Sequence, residues 1–124
     1  MIDTKLLDLA VQDLRNVLRD GLVATDIWDR VDGLSLAGFN QQPVAVALFT
    51  RITAELEGSM ADSNFPPLGR YYLIDLEGNH TAAVINHGTL LQGMLVDNKR
   101  ANLGILISVA IPRMIEAVQK AKGR

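Results

Sequence analysis

Two histidines and two carboxylates are the residues of this chain whose types could bind a metal or move a proton. His80 and His87 follow Asp75 and Glu77, and imidazole with carboxylate is a common zinc ligand set. Asp75 and Glu77 are two residues apart, so on a strand they would lie on one side, as acid–base catalysis by a carboxylate pair requires. However, both histidines fall at or beside turns with six residues between them, and a polar strand end explains the carboxylates. We therefore predict neither a metal site nor a catalytic pair.

The sequence also lacks the motifs of nucleophilic and phosphate chemistry. No serine stands in a G-x-S-x-G context, and the phosphate-binding loop G-x-x-x-x-G-K-[ST] does not occur, so the chain is not itself a P-loop GTPase. We expect no cofactor and no enzymatic activity. The alternative is an enzyme or small-ligand sensor whose pocket lies between the sheet and the segment Phe65-Pro66-Pro67.

Composition restricts the class of protein. The chain has 124 residues, of which 48% are hydrophobic, a net charge of −2 and no cysteine. One domain over residues 1–124 fits this length, and the absence of a basic stripe argues against nucleic acid as a partner. The sequence has no apolar run near the ~20 residues that span a bilayer, and no signal peptide is recognisable at its start. We expect a cytoplasmic single-domain protein with no membrane span.

The spacing of apolar residues and turn residues predicts three helices and five strands. Apolar residues three and four apart indicate the helices, and short β-prone runs between Gly, Asn and Asp clusters indicate the strands. Gly21 and Gly58 should end the first two helices, Asp97 or Asn98 should cap the third, and Pro112 should kink it. The predicted bounds are 3–19, 43–57 and about 98–122 for the helices, and 22–28, 34–39, 70–76, 80–85 and 89–96 for the strands.

Three features of these elements bear on binding. The second helix is apolar well beyond a single ~100° stripe, which indicates that more than one side of it is buried. Trp28, the only tryptophan, is expected in the core, with an exposed anchor for a partner as the alternative. Lys99 and Arg100 are expected in the first turn of the last helix, where cations oppose the macrodipole. A solvated surface is the preferred explanation of these two side chains, and an anionic partner is the alternative.

Taken together, the order of elements and three motifs resemble the Roadblock/LC7 family. The resemblance covers nearly the whole chain. The motifs that carry it are the turn Asp32-Gly33-Leu34 followed by the small residues Ala37-Gly38, the alanine-rich helix 44–56, and Asn102-Leu103-Gly104-Ile105-Leu106, which is similar to the family's Asn-Leu-Gly-Leu-Leu pattern.

The resemblance implies an α+β fold of order αββαβββα with profilin-like layers. In it the first and last helices cover one face of a five-stranded antiparallel sheet, and the middle helix covers the other. It also implies a homodimer, in which the middle helices pair and the strand over residues 70–76 joins its mate at an open sheet edge. The residues predicted at this dimer interface are Val46, Phe49, Thr50, Thr53, Tyr71 and Leu73.

The function implied by the resemblance is that of a non-enzymatic interaction module. Family members include dynein light chains, lysosomal scaffold subunits, and MglB-type bacterial proteins that bind and regulate a small Ras-like GTPase. We therefore expect this chain to bind itself and either such a GTPase or a scaffold complex.

Overall fold

The structure is a computed structural model that describes residues 1–123. The last helix is α-helical at Leu103–Ile105, π-helical at Leu106–Ala110 and α-helical again at Ile111–Lys122. In chain order the elements are helix α1 (Thr4–Leu18), a 3-10 turn (Arg19–Gly21), strands β1 (Leu22–Asp29) and β2 (Ser35–Phe39), helix α2 (Pro43–Asp62), strands β3 (Tyr71–Leu76), β4 (His80–Asn86) and β5 (Leu90–Asp97), and helix α3 (residues 103–122).

The five strands form one antiparallel sheet in the order β2-β1-β5-β4-β3. The first hairpin and the β3-β4-β5 meander therefore meet where β1 pairs with β5. Gly78 and Asn79 join β3 to β4 with positive φ angles of 76° and 63°, the conformation that matches a tight turn to the twist of its strands. The α+β fold predicted from the sequence is confirmed.

Most of the core lies between one face of the sheet and the helices α1 and α3. Alternate residues of the strands point to this face, as the two-residue period of a strand requires. They pack in two clusters that join α1 to α3, and the largest side chains among them include Leu7, Leu14, Ile27, Ile85 and Met114. A smaller cluster of Trp28, Val46 and Leu91, with Phe49 beside it, holds α2 on the opposite face.

The ends of α1 and α2 differ from the predicted ones. Arg19, and not Gly21, takes the positive φ angle after α1. Gly21 instead packs on Ala101, whose Cβ would lie 2.2 Å from a Cβ at position 21. Helix α2 continues past Gly58 for more than a turn, because an exposed glycine lowers helix propensity without breaking the hydrogen bonds.

The start of α3 also differs from the prediction. Its N-cap is Asn102, whose Oδ1 accepts a hydrogen bond from the Gly104 amide at 2.6 Å. The Asp97 carboxylate caps the preceding turn instead, through the Lys99 amide at 2.9 Å. Lys99 and Arg100 therefore lie before the helix, and the predicted opposition to its macrodipole is wrong.

Helix α3 is irregular where the sequence predicts a kink. Pro112 has no N–H to donate to the carbonyl of Ser108, and the π-helical segment Leu106–Ala110 ends just before it. In a π-helix each hydrogen bond spans one residue more than in an α-helix, and the Ile111 amide accordingly donates to the Leu106 carbonyl. Leu106 and Ala110 stay buried in the core through this segment.

Candidate functional site

The residues with potential for chemistry do not form a reactive centre. His87 is buried, and its Nε2 lies 3.0 Å from Oε1 of Gln92. Burial lowers the pKa of His87 to about 4, against a raising effect of the Gln92 hydrogen bond. His80 lies at the β3-β4 turn, and Asp75 and Glu77 are exposed. Within residues 1–123, no three His, Cys, Asp or Glu side chains are grouped so that they could hold a metal ion.

The pocket proposed as an alternative finds no support at these residues. Phe65, Pro66 and Pro67 are exposed. Neither they nor the histidines line any of the four hollows described for residues 1–123.

One side of α2 is fixed to the sheet by hydrogen bonds as well as by apolar contacts. The indole Nε1 of Trp28 donates to Thr50 Oγ1 at 2.8 Å, and that hydroxyl donates to the Val46 carbonyl at 2.7 Å. The hydroxyls of Thr53 and Tyr72 are 2.9 Å apart. Each polar group that α2 buries here thus has a partner, which avoids the cost of an unsatisfied one. Trp28 is a core residue, as expected.

The residues predicted at the dimer interface fall into two groups. Val46, Thr50 and Thr53 face the sheet of their own subunit, and Thr53 has no exposed surface. Phe49 is half-buried beside them. Tyr71, whose exposure is 39%, lies on the edge strand β3, as does the half-buried Leu73.

The apolar surface that α2 leaves open lies on its other side and was not identified from the sequence. Val44 is 82% exposed and Leu48 is 40% exposed. An open groove of about 550 Å³ runs beside them over the sheet. Periodicity could not find it, because apolar residues occur nearly all round this helix. The groove is lined by residues of α2, β1, β3, β4 and β5, among them Ala24, Val44, Leu48, Leu76, Ala82 and Leu95.

Comparison with known proteins places this architecture among solved structures. No family model and no curated protein matches the sequence. MglB from Myxococcus xanthus superposes with a TM-score of 0.78 at 11% identity, over 94% of this chain and 87% of that one. A Roadblock/LC7 domain from Streptomyces avermitilis superposes with a TM-score of 0.68 at 14% identity, over 94% and 98% of the two chains.

The chain has a Roadblock/LC7-like fold. A third structure, described as MglB with tetrameric arrangement, agrees with a TM-score of 0.74 at 19% identity, over 95% of this chain and 91% of that one. At these identities the agreement is one of fold. Among residues 1–123, no helix combines the length and the hydropathy needed to cross a membrane.

Within residues 1–123, the Roadblock/LC7-like sheet ends at β3, which pairs with β4 and with no other strand. A row of backbone N–H and C=O groups is therefore open along its other side. Leu76, at the end of β3, is 38% exposed and also lines the apolar groove. Leu76 thus joins the open strand edge to the open flank of α2 in one continuous surface, which we call the α2-β3 surface (Val44, Leu48, Leu76 and Leu95).

Proposed function

We propose that this protein is a non-enzymatic, homodimeric interaction module that presents a composite surface to a small Ras-like GTPase or to a scaffold complex. The observation that carries the proposal is the continuity of the apolar groove with the open edge of β3. Contiguous exposed apolar surface is a common mark of a binding site. An unprotected strand edge is a template for pairing with another chain.

The symmetry of strand pairing supports a second copy as the occupant. Two identical strands that pair antiparallel are related by a two-fold axis perpendicular to the sheet. That axis keeps both copies of α2 on the same face of the joined sheet, so each can lie over apolar surface of the other. Pairing of this kind covers Leu48, Leu76 and the strand edge in one step.

Light scattering on a charge-bearing variant of α2 tests the homodimer. Leu48→Glu places a charge in the groove, and we expect it to shift the wild-type dimer to monomer at tens of micromolar. Ala54→Glu adds the same charge on the opposite, exposed flank of the helix and should leave the dimer intact. A wild type with the mass of one subunit at this concentration contradicts the proposal.

Phe49→Glu is a less specific test of the same interface. Phe49 contacts the cluster of Trp28, Val46 and Leu91, so a charge there also enters the core of its own subunit. We expect Phe49→Glu to have both a lower melting temperature and a lower mass in light scattering than wild type. Leu48→Glu should have a lower mass with an unchanged melting temperature.

Capture on immobilised small Ras-like GTPases, loaded with GDP or with a non-hydrolysable GTP analogue, tests the partner class. Retention that depends on the bound nucleotide and is lost in Leu48→Glu supports a regulator that acts as a dimer. Equal retention on both forms supports a scaffold instead. Absence of retention on every GTPase tested contradicts the GTPase part of the proposal, while the homodimer is tested separately by its mass.

A further inference from the structure

A basic hollow lies at the other edge of the sheet, where α1 ends over β2. Three arginines from three separate elements line it: Arg15 in the last turn of α1, Arg19 in the 3-10 turn, and Arg100 in the turn before α3. The hollow has a volume of about 580 Å³, and Leu22 and Phe39 form part of its wall. Asp20 is the one acidic residue in its lining, so the lining carries a net charge of +2 on a chain whose total charge is −2.

The guanidinium groups of these arginines have donors to spare. Arg15 stacks 4.0 Å above the centroid of the Phe39 ring, a contact through its face that leaves the N–H groups in its plane free. Arg100 lies 3.8 Å from Asp20 and 3.7 Å from Asp97, both longer than a charge-assisted hydrogen bond. Asp20 is itself 87% exposed, so water screens its pairing with Arg100.

The backbone holds two of the arginines in fixed positions. Gly21 packs directly on Ala101, which locks the turn of Arg19 to the turn of Arg100. Arg19 has φ 52° and ψ −129°, a conformation that glycine adopts freely and other residues adopt at a cost. Arg19 thus occupies a position whose backbone angles favour glycine.

We propose that this hollow binds an acidic, extended segment of a partner protein, by forks of guanidinium N–H groups on its carboxylates. Cations at the C-terminal end of a helix also stabilise its dipole, which accounts for Arg15 and Arg19 but not for Arg100. Arginine forks also bind phosphate, so a free phosphate is the alternative that the test has to exclude. The backbone N–H groups of a helix N-terminus, which many phosphate sites add, are absent here because α1 presents its C-terminal carbonyls. The inference is independent of the proposed dimer, since β2 and β3 are opposite edges of the sheet.

Binding of a fluorescein-labelled hexaglutamate peptide, followed by fluorescence anisotropy, tests the proposal. We expect wild type to bind it, and Arg19→Gly to raise the Kd at least about fivefold, as loss of one charge-assisted contact predicts. The melting temperature of Arg19→Gly should stay the same or rise, since glycine relieves the backbone. Weaker binding by a variant of equal or higher stability cannot come from misfolding.

Matched controls separate this site from general charge attraction. Lys5→Ala removes one positive charge from the opposite end of α1 and should leave the Kd within about twofold of wild type. No measurable binding of hexaglutamate by wild type would overturn the proposal, as would an equal loss in Lys5→Ala. Displacement of the peptide by inorganic phosphate at equal concentration would assign the hollow to free anions instead and also overturn it.

Discussion

Gln92 links His87 to Thr25 in a row of hydrogen-bonded side chains inside an otherwise apolar sheet face. Its Oε1 faces His87 Nε2 at 3.0 Å, and its Nε2 lies 3.4 Å from Thr25 Oγ1, which donates to the Gly93 carbonyl at 2.8 Å. Because the amide oxygen can only accept, His87 is the donor and carries its proton on Nε2. The ammonium of Lys122 donates to the His87 carbonyl. The bond from Nε2 to Gln92 persists when His87 is protonated, so what opposes protonation is the burial of the charge and not the loss of this bond.

The pKa of His87 predicts acid sensitivity of the fold. The net pKa of His87 is about 4: burial lowers it most, the charges of Lys122 and Arg70 also lower it, and the Gln92 hydrogen bond raises it. An unfolded histidine titrates near 6.5. Between these two pKa values the unfolded state thus binds a proton that the folded state does not bind. Stability from this group is complete above about pH 6.5 and falls by about 1.4 kcal/mol per pH unit down to about pH 4, some 3 kcal/mol in all.

Urea unfolding between pH 7 and pH 5 measures this slope. His87→Gln keeps a side chain that can hydrogen-bond to Gln92 and does not titrate. The slope of its free energy of unfolding against pH should therefore be smaller than that of wild type by the uptake of about one proton. His80→Gln, the same exchange at the half-exposed histidine, is the matched control for the loss of one imidazole. Equal slopes in wild type and His87→Gln would contradict the prediction.

At the scale of elements, the way α2 ends shows why a helix boundary depends on more than one residue. Asn64 has φ 55°. Its amide donates to the Ala61 carbonyl at 3.3 Å, and the Phe65 amide donates to the Met60 carbonyl at 3.0 Å. These two bonds and the left-handed residue form a Schellman motif. The motif ends α2, whereas Gly58, exposed and with nothing within 4 Å of its missing Cβ, does not.

Substitutions at Asn64 should therefore change stability in opposite directions. Asn64→Ala forces a left-handed conformation on a residue with no local polar group to support it, and should cost about 1 kcal/mol. Asn64→Gly should be neutral or stabilising, because glycine is the preferred residue there. Ser63→Ala is the neighbouring control, with φ −97°, and should change stability by less than about 0.5 kcal/mol. Thermal unfolding monitored by circular dichroism ranks the three.

The strands and their turns could be predicted from the sequence because their signals are local. Short β-prone runs between turns such as Asp-Gly and Gly-Asn place every strand within a residue of its observed bounds. The ends of the helices could not, because competing caps such as Asp97 and Asn102 lie close together in the sequence. The turn before α3 is held by the Asp97 cap on the Lys99 amide and by the packing of Gly21 on Ala101, a contact between residues far apart in the sequence.

The side of α2 that faces the sheet could not be predicted from the sequence, for a different reason. Val46 and Thr53 lie against the sheet while Val44 and Leu48 are exposed, yet all four fit an apolar or neutral helix surface. What orients the helix is a set of long-range partners, Trp28 for Thr50 and Tyr72 for Thr53. No local pattern encodes such pairs, so the predicted interface included residues that the subunit uses to hold itself together.

At the scale of the whole molecule, the two proposed surfaces lie at opposite edges of one sheet. The α2-β3 surface is apolar and open along a strand. The arginine hollow is polar and stands where α1 meets β2. A dimer that joins two sheets through β3 therefore leaves both hollows at its outer ends. In such an assembly each subunit could bind the second copy and an acidic segment of a partner protein at the same time.

This arrangement predicts that self-association and peptide binding are independent. Sites well separated, with no shared contacts, contribute additively. The Leu48→Glu monomer should therefore bind hexaglutamate with the same Kd as the dimeric Ala54→Glu variant, which carries the same added charge. Arg19→Gly should in turn keep the wild-type mass in light scattering. If monomerisation abolished peptide binding, the second subunit would have to complete the hollow, and the β3-to-β3 geometry would be excluded because it places that subunit at the far edge.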